Sequence, residues 1–180
     1  MNIRDIFRLP VACILACAIN SIFPNAAAAP PDITHLLAQD KPVQSVKVLL
    51  LTPNIVETLV PLKEGDLAGM GCTYLTVDKD AINQLIGLLK NASLEQISSV
   101  DNLHINLQQA VYLDFADGSS VKFLFSREAY GGEVTGIVGS SGTNDRAFFK
   151  TGPVAGLLWK WSTQADENSN RSPMGGLCSH

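Results

Sequence analysis

Histidine and cysteine are scarce in this chain, three and four among 180 residues. That scarcity leaves too few nitrogen and sulfur ligands for the multi-ligand spacing a structural zinc site requires. Basic residues number 13 and stand singly, so no cationic stripe exists to displace phosphate counterions, and nucleic acid is excluded as the main partner. Beyond the N-terminus no apolar run approaches the roughly 20 residues of a spanning helix. No intact catalytic fingerprint is present. The stretch Gly136 to Asn144, Gly-Ile-Val-Gly-Ser-Ser-Gly-Thr-Asn, has no Lys and Ser/Thr after its last glycine, as a phosphate loop needs. It also lacks the glycines two residues either side of a serine that a nucleophile elbow needs. It reads as a loop between strands, with a phosphate loop and an elbow both excluded.

What is present begins with an export signal. Arg4 and Arg8 precede a mostly apolar stretch from Leu9 to Phe23, and Pro24-Asn25-Ala26-Ala27-Ala28-Ala29 follows with the small side chains a signal peptidase accepts. Residues 1–28 are expected to leave, with the cut after Ala27 or Ala28 because Pro30 disfavours a cut at Ala29. Two other readings are set against this one. An uncleaved anchor would need a longer run, without Asn20. Acylation at Cys17 after Ile14-Leu15-Ala16 would place a bulky leucine where a small residue is wanted. In every case but the anchor the chain becomes a periplasmic or secreted protein. Losing Arg4, Arg8 and Asp5 leaves 11 basic and 16 acidic residues, a formal charge of −5. The remaining length suits a single core.

Periodicity then divides the chain into a polar leader over 29–43, a globular domain over 44–162 and a polar tail over 163–180. Val46 to Leu51 predicts a buried strand, and Cys72 to Val77 a second. Residues 54–71 predict an irregular excursion or an edge strand, with Lys63-Glu64-Gly65-Asp66 as a turn. Asp78 is an N-cap for a helix over 79–91, whose Ala81, Ile82, Leu85, Ile86 and Leu89 recur at helical spacing. Leu103 to Leu107 alternates. Val111, Leu113 and Phe115 form one face of a strand, Asp117-Gly118 turns, and Val121, Phe123 and Phe125 return on the matching face. Strands at 133–138 and 146–150 continue the meander. Pro153 opens a last helix with Val154, Leu157, Leu158 and Trp161 as its apolar stripe. The expected fold is α+β, one domain, a mainly antiparallel meander of about five strands with two helices packed on it.

Cys72 carries the main chemical question. With Cys13 and Cys17 removed, Cys72 and Cys178 are the two cysteines of the exported chain, and in an oxidising compartment two such thiols pair. The bridge would tether the polar tail. A nucleophilic Cys72 assisted by His35, His104 or His180 needs a depressed thiol pKa, for which no neighbour argues. A metal held by Cys72, Cys178 and His180 falls short in ligand number, so no metal and no cofactor is expected. His104, and a carboxylate pair from Asp114 and Glu133, are the candidates for acid–base work in a small envelope hydrolase.

The reading favoured is a noncatalytic exported binding protein, an inhibitor or immunity-type protein that blocks a protein partner. Its expected contact residues are Tyr130, Gly131, Gly132, Ser140, Ser141, Asn144 and Trp159, on glycine-rich loops and on the polar side of the last helix. The hydrolase is the alternative. A structural or ligand-carrying envelope protein is the further one.

Overall fold

In a computed structural model, residues 32, 33, 37, 41–51, 60–98, 105–129, 131–140 and 146–164 are described. Among the described residues seven strands form one antiparallel sheet: β1 (Val43–Leu50), β2 (Cys72–Thr76), β3 (Glu95–Ile97), β4 (Leu107–Phe115), β5 (Ser120–Ser126), β6 (Val134–Ser140) and β7 (Arg146–Thr151). Their order across the sheet is β2-β1-β4-β5-β6-β7-β3. Beside them, three helices are wholly within the described residues: α1 (Glu64–Met70), α2 (Lys79–Asn91) and α3 (Ala155–Gln164). The class is α+β as expected, with two strands and one helix more.

Alternation along β4 and β5 places Val111, Leu113, Phe115, Val121, Phe123 and Phe125 on one face, all buried. Val111 stands opposite Phe123 and Leu113 opposite Val121, so the hairpin pairs apolar side chains directly across strands. The Asp117-Gly118 turn closes it, with the Ser119 N–H donating to Asp117 Oδ1 at 3.0 Å. Helix α2 covers this face through Ile82, Leu85 and Leu89, each contributing about 1.5–3 kcal/mol on burial. Its N-cap is Asp78, whose Oδ1 accepts from the Ala81 N–H at 2.8 Å. Helix α3 lies beside α2, with Val154, Leu158 and Trp161 buried and the Trp161 Nε1–H donating to the Ala81 carbonyl at 2.9 Å. Leu157, expected on that stripe, is instead 46 % exposed. Ile33, ahead of β1, also enters this core.

Helix α2 explains the strand order. It leaves β2 at one edge of the sheet and delivers the chain to β3 at the other. Six interstrand spacings of about 4.8 Å make roughly 29 Å, and 13 helical residues with the short connections at each end cover that span. The Thr151 hydroxyl, donating to the Ala92 carbonyl at 2.5 Å, ties the far end of the helix to β7.

The second face carries a smaller core of Leu49, Leu51, Leu62, Leu67, Leu107, Ala110 and Leu124, and α1 sits on it. This helix replaces the turn expected at residues 63–66. Only seven residues long and containing Gly65 and Gly69, it has little intrinsic propensity. It is held by Leu67, which is fully buried, and by the Asp66 carboxylate, which accepts the Lys63 N–H at 2.8 Å. Of the alternating segment 103–107, residues 103 and 104 lie outside the described residues, 105 and 106 precede the strand, and β4 begins at Leu107.

Candidate functional site

One row of the second face crosses three strands. Lys47 of β1 stands opposite Tyr112 of β4, which stands opposite Lys122 of β5. Glu64, projecting from the first turn of α1, accepts the Tyr112 hydroxyl at 2.9 Å and the Lys122 ammonium at 2.7 Å. The Lys47 ammonium lies 4.3 Å from the centre of the Tyr112 ring. Burial pushes the Glu64 carboxyl up, but the hydrogen bonds from Lys122 and Tyr112 outweigh it and the group is held below its ordinary value. Burial and the Glu64 carboxylate together raise the Tyr112 phenol well above its usual range. A phenol so held stays protonated and donates. The cluster clamps α1 to the sheet.

A groove on the opposite face has the shape of a binding site. It encloses about 400 Å³, within the range of small-ligand pockets. Leu113 and Phe115, at the end of β4, form its floor, and Ile82 and Ile86 of α2 form one wall. Leu37 and Val43 bound the other side. The groove exists because α2 turns only part of its circumference to the sheet. Lys79, Ile82, Asn83, Ile86 and Lys90 recur at i, i+3, i+4, i+7 and i+11, one stripe along the flank of the helix, and all five line the groove.

The rim is cationic. Lys41, Lys79 and Lys90 border the groove, and its described lining includes no carboxylate, although the chain as a whole is acidic. Lys41 is engaged by Asp117 at 2.7 Å, and that ion pair, with hydrogen bonds from Ser119, pushes the Asp117 carboxyl far below its ordinary value. Among the described residues neither Lys79 nor Lys90 forms an ion pair.

Of the residues expected to make contacts, those among the described residues lie in separate places. Gly131 and Gly132 form a turn at the β5–β6 end, with φ of 105° and 84°, values that glycine adopts readily. They line an open hollow of about 510 Å³ together with Ser93, Glu95, Glu133 and Lys150. Ser140 lies at the other end of β6, roughly 20 Å away at 3.3 Å per residue. Trp159 is half-buried, its ring edge-to-face with Tyr74 at 6.3 Å, and it belongs to the packing of α3 against the sheet rather than to an exposed anchor. Tyr130, Ser141 and Asn144 lie outside the described residues.

The acid–base candidates separate likewise. Asp114 pairs with Ser120 at one end of β5 and accepts the Ser45 hydroxyl at 2.9 Å. Glu133 precedes β6 beside the opposite end of β5 and pairs with Lys150 at 3.0 Å. Their separation is about 20 Å, twice what a glycosidase pair tolerates. His35, His104 and His180 lie outside the described residues. Cys72 begins β2 and is 1 % exposed. Cys178 lies outside the described residues.

The helical stripe that lines the groove is legible in the sequence, but Ile82 and Ile86 read there as part of one buried face. No protein-family model, curated protein or solved structure matches this chain.

Proposed function

We propose that this chain is a noncatalytic exported binding protein whose binding site is the lysine-rimmed groove beside α2. The observation that carries the reading is the groove itself: an apolar floor and wall, with Lys79 and Lys90 unengaged among the described residues, in a chain of net negative charge. Both ammonium groups are exposed beside an apolar surface, so a partner carrying an anion and an apolar part gains from both parts of the site. The separation of Asp114 from Glu133 supports binding over hydrolysis.

Export rests on residues 1–28, and the Cys72–Cys178 bridge fits the same compartment. The inhibitor or immunity-type form of the proposal, with a protein partner, draws its support from the exposed Gly131–Gly132 turn beside its open hollow.

Native mass spectrometry of the chain isolated from an envelope extract tests the proposal. A bound species lost on joint substitution Lys79→Glu and Lys90→Glu is the expected result. Bare chain for both proteins, or the same adduct on both, overturns the groove as the binding site.

A further inference from the structure

The groove combines an apolar lining with lysines, and that combination suits one ligand class. Resting on the reading above, we infer that it takes a small anionic amphiphile: an unbranched apolar chain carrying one carboxylate or phosphate. Lys79 and Lys90 lie eleven residues apart on one helix, about 16 Å at 1.5 Å per residue. Between them the wall is Ile82 and Ile86, and the floor is Leu113 and Phe115. An extended alkyl chain fits along such a trough, with its charged end against a lysine.

The alternatives fit less well. A compact polyanion such as a nucleotide would leave the isoleucines and Phe115 against its charges, which is unfavourable. A neutral hydrocarbon would make no use of the lysines. A ligand with both parts removes its own chain and the half-exposed Leu37, Val43 and Ile86 from water, and meets an ammonium that has no competing carboxylate in the described lining. Lys41, already paired with Asp117, is left as part of the wall.

Isothermal titration of the purified mature chain with dodecanoate, dodecyl phosphate, dodecanol and acetate tests the assignment. Dodecanoate or dodecyl phosphate is expected to bind at one site at least tenfold more tightly than dodecanol, with acetate silent. A preference between the two headgroups distinguishes a free fatty acid from a phospholipid-like source. Lys79→Glu with Lys90→Glu is expected to weaken the favoured ligand at least tenfold, and Ile86→Trp, which fills the trough, to weaken it as much. Both lysines are exposed and Ile86 is only half-buried, so folding, followed by circular dichroism, is expected to persist. Dodecanol binding as tightly as the anions, or binding unchanged in the lysine variant, overturns the ligand class. If no amphiphile binds yet the envelope-derived species is still lost from the lysine variant, the ligand class falls and the groove reading stands.

Discussion

Gly136 offers a severe check on the packing of the sheet. It lies in β6 opposite Phe125 of β5 and Phe149 of β7, and the Phe149 ring lies over its Cα. A Cβ at this position would overlap the Phe149 ring, 2.5 Å from Cε2, and stand 2.7 Å from the Leu124 carbonyl oxygen. Neither neighbour can give way. Phe149 is fully buried and braced by Phe125 at 5.4 Å and Phe123 at 6.4 Å, both edge-on. The Leu124 carbonyl belongs to a central strand. Gly136→Ala is therefore expected at the upper end of overpacking costs, about 3 kcal/mol. For a domain of this size the midpoint of thermal unfolding should fall by about 10 °C. Urea unfolding followed by tryptophan fluorescence reads the change, with the midpoint shifted and the slope unchanged. The double variant Gly136→Ala, Phe149→Leu should cost less than its parts, because the smaller side chain vacates the space the methyl needs. A single substitution costing under about 0.5 kcal/mol, or strictly additive costs, would refute the close approach of Phe149 to β6.

Asp78→Ala should destabilise by about 1 kcal/mol through loss of the Ala81 N–H acceptor, and Asp78→Asn should restore most of it; equal losses in both would count against the cap. The Tyr112 phenol is raised in the folded state above its unfolded value near 10, so its contribution is whole below pH 10 and is lost as pH rises beyond it. Tyr112→Phe should flatten that alkaline loss in unfolding titrations between pH 9 and about 11, and an unchanged slope would reject the coupling to Glu64. Glu64 is shifted the opposite way, so its contribution is present above its unfolded value and lost as pH falls through the lower folded one; Glu64→Gln should reduce the acid sensitivity. Mass spectrometry without reductant should find the mature chain 2 Da lighter than its thiol form, and free thiols at Cys72 and Cys178 would sink the proposed bridge.

Local pattern determined much of this protein on its own. Asp78 followed by apolar residues at helical spacing specified α2 to the residue, because a cap and a 3.6-residue period are both local properties. Alternation around Asp117-Gly118 specified the β4–β5 hairpin and its buried face in the same way. What local pattern left undetermined depends on contacts distant in sequence. Helix α1 is too short and glycine-rich to form by propensity, and it persists because Leu67 and Glu64 find partners on β4 and β5 more than forty residues away. Strand β3 is three residues long and becomes a strand by pairing with β7. The groove belongs to this second category. Its helical stripe is visible in the sequence, but whether that stripe faces a core, solvent or a trough was decided by the crossing of α2 over β4 and by the arrival of Leu37 and Val43 from before and within β1. Strand β6 likewise keeps Gly132 and Ser140 toward its opposite ends. Composition registers glycine and serine wherever they fall, whereas the strand lengths set the distance between them.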